Sequence, residues 1–167
     1  MKQPVLILLK PDCLAKNAAG IILTKVAETK LDFVGMKLVR VSQQLAEAHY
    51  QHLRKKPFFD EMINYILGKY HRRQPLLAMV LWGENAIKKC RKLAGATNPE
   101  EADHLSIRGT LGRITTKGIF ENVIHVSESL SEARREIKLW FKPEELLLDV
   151  LPTQKEVHKN YAKRVWK

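Results

Sequence analysis

The sequence predicts an α/β (α+β) domain with a ferredoxin-like split β-α-β sandwich, a four-stranded antiparallel sheet with helices packed on it, and a C-terminal tail. Two observations carry that prediction. Four apolar or β-branched stretches, residues 5–9, 32–41, 76–82 and 123–126, are separated by segments with helical spacing, in the order β-α-β-α(α)-β-α-β-α. The chain has 167 residues, of which 45% are hydrophobic and 28% charged, with only 8 Gly and 7 Pro, so it suits one globular domain with a core of useful size.

Residues 5–9 are apolar without a break and read as a buried central strand, ended by Lys10-Pro11-Asp12 because proline cannot continue a ladder. A helix is expected over 18–30, with Ile22, Val26 and Thr29 on one side. Residues 32–41 alternate in part and read as the second strand. Ser42 is an N-cap candidate for a helix over 43–53, on which Ala46, His49, Tyr50 and Leu53 share a face. Pro57-Phe58-Phe59 opens a further helix to about Leu67, and 68–74 reads as a basic loop. The third strand, 76–82, is all apolar and is therefore expected to be buried. The helix over 84–93 is stopped by Gly95, and Thr97-Asn98-Pro99-Glu100 looks like a new helix start. Residues 106–121, with Gly109, Gly112 and Gly118, read as loop. The fourth strand, 123–126, leads into Ser129-Leu-Ser-Glu132, a capping-box pattern that starts the last helix, and Pro143 ends it. This gives a domain over 1–143 and an extension over 144–167 that is apolar enough to pack on the domain or on a neighbouring subunit, with Leu146, Leu147, Leu148, Val150, Val157, Tyr161 and Trp166.

No apolar run approaches the roughly 20 residues that span a bilayer, so no membrane partner is expected. The apolar N-terminus lacks a small-residue cleavage site and reads as a strand, which makes cytoplasm the default location. Cys13 and Cys90 form no metal spacing and suggest a reducing compartment; Cys90, in register with Ile87 and Ala94, reads as a buried inert thiol. The net charge of +11 favours anionic ligands. Basic clusters at Arg54-Lys55-Lys56, His71-Arg72-Arg73 and Lys88-Lys89-x-Arg91-Lys92 are compatible with nucleic acid, but none has the aromatic interleaving of a stacking platform.

The chemistry points to one stretch. His125 sits on the fourth strand, and on the next helix Ala133, Ile137, Trp140 and Phe141 form an apolar face that includes Glu136. An inward carboxylate needs a partner, and the strand histidine is the natural one. Such a carboxylate fixes the tautomer and direction of the imidazole and leaves its other nitrogen free to attack. A structural histidine beside a rim glutamate would leave the same trace in sequence. Neither G-x-x-x-x-G-K-[ST] nor G-x-G-x-x-G occurs, so a nucleotide site must be built from side chains; Lys10, Arg91, Thr97 and Arg108 are candidates at element ends.

Taken together, Lys10-Pro11-Asp12, Gly35-Met36-Lys37, Lys56-Pro57-Phe58-Phe59, Leu77-Ala78-Met79-Val80, Gly95-Ala-Thr97-Asn98-Pro99, Ile107-Arg108-Gly109 and Asn122-x-x-His125-x-Ser127-x-Ser129 resemble the nucleoside diphosphate kinases, in the family's order. The resemblance implies a ping-pong kinase. A nucleoside triphosphate, as its Mg²⁺ complex, phosphorylates His125, and the phosphohistidine then phosphorylates a nucleoside diphosphate. It further implies that Glu136 holds His125 with Ser127 nearby, that Tyr50 lies beside the histidine, and that Arg91, Thr97 and Arg108 bind phosphates. Lys10 and Asn122 would contact the sugar 3′-hydroxyl, with Lys10 also near the transferred phosphate. Phe58 would stack on the base, with Met62 packing where the family often has leucine. No protein metal site is implied, because Mg²⁺ comes with the nucleotide. A homo-oligomer, hexamer or tetramer, is expected.

Several positions depart from the pattern. His125-Val126-Ser127-Glu128-Ser129 stands where His-Gly-Ser-Asp-Ser is usual, and valine excludes a φ > 0 conformation. His104-Leu105-Ser106 replaces Pro-Gly-Thr, and Thr110 replaces an aspartate. The segments 68–74 and 110–121 are longer than usual, by about five and about four residues. None of these changes removes a matched side chain, so activity is expected. The alternative is a basic ferredoxin-like nucleic-acid-binding or scaffold protein with weak or lost kinase activity; the strand over 32–41 lacks the aromatic pattern of an RNA-recognition motif.

Overall fold

The computed structural model describes residues 1–72, 74–158 and 161–167. Arg73 of the basic loop and the side chain of Tyr161 in the tail lie outside what is described. The centre is β1 (Lys2–Leu9), whose residues Val5 to Leu9 are fully buried because a strand lies on each side of it. Its side chains alternate between two cores, as the pleat requires. Val5, Ile7 and Leu9 face Ile22 and Val26 of α2 (Ala19–Ala27) and Ile87 and Cys90 of α5 (Ala86–Ala94). Leu6 and Leu8 face Ala46 of α3 (Gln43–His49), Ile63 and Ile66 of α4 (Phe59–Ile66), and Ile137, Trp140 and Phe141 at the end of α7 (Leu130–Trp140). Each fully buried aliphatic side chain of this set stabilises the fold by about 1.5–3 kcal/mol.

The sheet is antiparallel, in the order β2 (Asp32–Val39), β3 (Leu76–Glu84), β1, β6 (Ile124–Val126). This is the ferredoxin-like order the sequence predicts. β1 pairs with β3 from Lys2 opposite Glu84 to Leu9 opposite Leu77, and with β6 so that Leu8 lies opposite His125. β2 is an edge strand with an irregularity between Phe33 and Gly35. Of its residues only Val34 is buried, and Met36 and Leu38 are exposed. Cys13 and Cys90 are buried free thiols, both pushed up to about 12, with burial the main cause. Among the described residues no helix is long and apolar enough to cross a membrane.

Five expectations need correction. Residues 106–121 are not a simple loop: Ser106 caps α6 (Ile107–Leu111), and β4 (Arg113–Ile114) pairs with β5 (Phe120–Glu121) as a hairpin. Pro11 does more than end β1; it takes the first position of α1 (Pro11–Ala15), where its missing N–H costs nothing. The helix expected over 18–30 ends at Ala27, and Thr29 lies beyond it, donating its hydroxyl to the Val26 carbonyl at 2.6 Å. The helix over 43–53 breaks at Tyr50, and Gln51–Leu53 form a 3-10 turn. Thr97-Asn98-Pro99-Glu100 likewise starts only a 3-10 turn, Pro99–Glu101.

The segment beyond Pro143 folds back. Leu146, Val150 and Leu151 enter the second core. Leu146 fits where Gly35 leaves room, since a Cβ there would come within 2.5 Å of it. The tail ends in a hairpin of β7 (Thr153–His158) and β8 (Tyr161–Trp166), fastened where the Trp166 indole donates to the Phe141 carbonyl at 3.0 Å. Leu147 and Val157 remain exposed.

Candidate active site

Three elements meet beside the C-terminal end of β1. Lys10 follows that strand, His125 is in the middle of β6, and α7 crosses behind with Glu136 facing inward. α7 starts where the Ser129 hydroxyl accepts the Glu132 N–H at 3.2 Å. The Glu132 carboxylate turns to Arg135 at 2.7 Å.

The His125–Glu136 pair predicted from the sequence is formed. Nε2 of His125 lies 2.8 Å from Glu136 Oε1, and the Ser127 hydroxyl donates to Oε2 at 2.5 Å. A carboxylate only accepts, so Nε2 carries the proton, and Nδ1 keeps a lone pair free of that bond. Glu136 is 2% exposed. Burial pushes its carboxyl up, but its hydrogen bond and electrostatic interaction with His125, the bond from Ser127 and the charge of Arg135 outweigh this and hold it below the usual carboxylate range. Ser127 is itself fixed, because its oxygen accepts the Leu6 N–H at 3.1 Å.

His49 completes this cluster, a role sequence reasoning missed. The indole N–H of Trp140 donates to its Nδ1 at 3.1 Å, and its ring meets that of His125 edge-on at 4.6 Å. Burial, then the neighbouring His125, depresses its pKa well below the usual histidine range, so it is neutral. Its place on the inward face of α3 was the only signal in the sequence. His49, His125 and Glu136 bring possible ligand atoms within 4.8 Å of one another. Within this group His49 Nδ1 accepts from Trp140 and Glu136 Oε1 is bonded to His125, so these contacts orient His125.

In front of the histidine lies a cavity of about 660 Å³. Lys10, Tyr50, Arg91, Thr97, Arg108 and Asn122 line it together with His125 and Glu136, and so do Phe58 and Met62. Of the residues singled out in the sequence, only Ser127 lies outside the lining; it is fully buried behind Glu136. The Lys10 ammonium donates to Asn122 Oδ1 at 2.6 Å, and the Asn122 amide donates to the Thr97 carbonyl at 2.9 Å. Burial lowers the Lys10 pKa to about 8; Asp12 opposes this and Arg108 adds to it. Arg108 is 8% exposed, and its guanidinium donates to the carbonyls of Gly95 at 2.9 Å and Ile124 at 2.8 Å. Gly95, at φ 84°, packs against Ser106, where a Cβ would come within 2.3 Å of Oγ. Burial, then Arg91, lowers the Arg108 pKa to about 10, which keeps it charged at neutral pH. The Tyr50 phenol is raised above its usual range by burial and then by Glu136, so it stays protonated.

The departures from the expected pattern are accommodated. Val126 is buried within β6 and has no positive φ; that conformation falls on Val123, at φ 55°. Such a backbone is costly for a β-branched residue. Val123 is held in it by the Asp12 carboxylate, which accepts its N–H at 3.0 Å, and by Lys10 N–H, which donates to its carbonyl at 2.9 Å. Glu128 reaches Arg91 at 3.5 Å. Thr110 donates its hydroxyl to the carbonyls of His104 and Ser106 at 2.9 and 2.8 Å, which fastens the substituted loop.

A sequence profile described as nucleoside diphosphate kinase matches residues 3–146. The chain is 43% identical to a curated nucleoside diphosphate kinase of Pyrococcus horikoshii over 86% of its own length and 88% of that protein. It superposes with a TM-score of 0.80 on a halophilic nucleoside diphosphate kinase of Halobacterium salinarum in complex with CDP, at 33% identity, covering 89% of this chain and 93% of that one. A transition-state mimic of the enzyme from Borrelia burgdorferi, with vanadate and ADP bound, aligns at 30% identity and a TM-score of 0.78, covering 88% of this chain and 91% of that one.

Proposed function

The chain belongs to the nucleoside diphosphate kinase family, and we propose that it moves a γ-phosphate from a nucleoside triphosphate to a nucleoside diphosphate with His125 holding the phosphoryl group in between. The observation that carries this is the Nε2–H of His125 on Glu136, which leaves Nδ1 as the nucleophilic nitrogen at a cavity that Lys10, Arg91 and Arg108 also line. In the first half, the Nδ1 lone pair forms a bond to the γ-phosphorus as the bond from that phosphorus to the bridging oxygen breaks, and the diphosphate leaves with the electron pair. The ring becomes positive, and Glu136 stabilises it through the Nε2–H. In the second half, a terminal oxygen of another nucleoside diphosphate takes the phosphoryl group, and the neutral ring returns.

Arg91, Thr97 and Arg108 bind phosphates in this reading, and Lys10 with Asn122 takes the 3′-hydroxyl, with Lys10 also close to the group in flight. Tyr50, uncharged, packs beside the histidine. Mg²⁺ arrives with the nucleotide phosphates. Catalysis is assigned to residues 1–143, and 144–167 to an extension of that domain. The exposed Met36 and Leu38 on the β2 edge support a homo-oligomer, hexamer or tetramer. Two buried free cysteines fit a cytoplasmic setting. The family match favours the kinase over a nucleic-acid-binding or scaffold role.

Phe58, half exposed at the cavity, stacks on the base. Such stacking tolerates every base, because each has a π-face. Phe58→Ala is expected to raise the KM for all four nucleoside diphosphates about tenfold, with little change in kcat; steady-state assays with each base check this. An effect confined to one base would contradict stacking. The direct test of function is turnover of ATP and a nucleoside diphosphate by the full chain, with and without Mg²⁺.

The Lys10 pKa sets an alkaline limit. Below about 8 the ammonium is charged, and above it the charge is lost. kcat/KM, which reports the free enzyme, is therefore expected to fall as pH rises through about 8, whereas an ordinary lysine keeps its charge to roughly pH 10. Lys10→Arg should remove that limb at a lower absolute rate. A flat wild-type profile up to pH 10 would contradict the assignment.

A further inference from the structure

The two segments that are longer than the family pattern, 68–74 and 110–121, meet at one buried carboxylate. Glu121 closes β5 and is 6% exposed. Its Oε1 lies 2.9 Å from His71 Nε2 in the first segment. Its Oε2 accepts from Arg113 Nε at 2.6 Å, and Lys16 Nζ, just past α1, is 3.0 Å away. Burial pushes this carboxyl up, but the hydrogen bonds from Arg113, His71 and Lys16 outweigh it and hold its pKa at about 2. The His71 ring is also buried and lies edge-on to Tyr65 at 5.3 Å.

Phe120 and Asn122, on either side of Glu121, both line the cavity, while Glu121 is absent from its lining. Glu121 to Val123 are each fastened: Glu121 by its three partners, Asn122 by Lys10 and Thr97, Val123 by Asp12. His125 and Glu136 are held separately, by β6 and α7.

We infer that Glu121 is a positioning residue for the nucleoside: by tying both longer segments and the end of α1 to one point, it fixes Phe120 as a second aromatic side chain in the wall of the cavity, and sets Asn122 to receive the sugar hydroxyl. The inference rests on the kinase reading and adds to it the feature of this chain that would set nucleoside affinity. The chemical step does not pass through Glu121.

The test uses the full chain with Glu121→Gln, His71→Gln and the double variant, assayed in steady state with GDP and with 3′-deoxy-GDP as acceptors. Glu121→Gln is expected to raise the KM for GDP about tenfold and to lower kcat less than threefold. His71→Gln, the milder change, should raise KM by about threefold, and the double variant should be no worse than Glu121→Gln, since both act through one contact. The rise should shrink for 3′-deoxy-GDP, which lacks the hydroxyl that Lys10 and Asn122 receive. A lower Tm with unchanged KM in both single variants would overturn the inference, as would a fall in kcat with KM unchanged. A wild-type chain that turns over no nucleotide would instead contradict the kinase reading.

Discussion

His125→Ala is expected to abolish turnover, lowering kcat by roughly five orders of magnitude or more, because the group that carries the phosphoryl between the two nucleotides is gone. No neighbour can take over. His49 is buried, neutral and engaged through Nδ1 by the Trp140 indole, and Glu136 is 2% exposed and held by the Ser127 hydroxyl. Nucleotide affinity should survive, because the cationic and aromatic side chains proposed to bind the nucleotide come from other elements: Lys10 at the end of β1, Arg91 on α5, Arg108 on α6 and Phe58 ahead of α4. Near wild-type Kd for ADP with no turnover is therefore the expected pair of results. Substantial turnover by the alanine variant would place the phosphoryl carrier elsewhere.

Glu136→Gln is expected to slow phosphorylation of His125 by roughly a hundredfold while leaving the fold intact. The amide fills the same space, but it removes the charge that stabilises the positive ring, and it can turn its NH₂ toward His125 or Ser127. Either orientation disturbs the pattern in which Nε2–H and the Ser127 hydroxyl both donate to one carboxylate. The loss should appear in the single-turnover rate at saturating ATP rather than in KM. The acid side of the pH dependence belongs to the same carboxylate. Its pKa is lowered in the folded protein, so its contribution to stability is present above the ordinary glutamate range and is lost as pH falls through the depressed value.

The sheet was legible because its central strands are unbroken apolar runs and the edge strand β2 is not. The reading of residues 5–9 and 76–82 as buried follows directly from composition, and the weak alternation of 32–41 becomes an edge strand with Met36 and Leu38 outside. The His125–Glu136 pair was legible for a local reason: an inward carboxylate eleven residues beyond a strand histidine has few other places to turn. The segment 106–121 misled because three glycines lower every local propensity, while what orders it is tertiary. Arg108 ties α6 to Gly95 and Ile124, and the turn closes where Gly118 N–H donates to the Thr115 carbonyl at 2.8 Å. Nothing in the spacing of Lys16, His71, Arg113 and Glu121 foretells their meeting, since contacts between distant segments leave no periodic trace. The pairing of Trp140 with His49 is hidden for the same reason, although each lies on an apolar helix face. The terminal hairpin was missed because strand Thr153–His158 is almost wholly polar, and polar alternation gives little sign of which face is buried.

The central claim is that His125 carries the phosphoryl group, and single-turnover labelling with γ-labelled ATP and Mg²⁺ tests it most directly. The account predicts acid-labile, base-stable label on the wild-type chain, absent from His125→Ala and discharged by added GDP as labelled GTP appears. A wild-type chain that binds ATP yet takes no label, or one whose label stays when GDP is added, would contradict it.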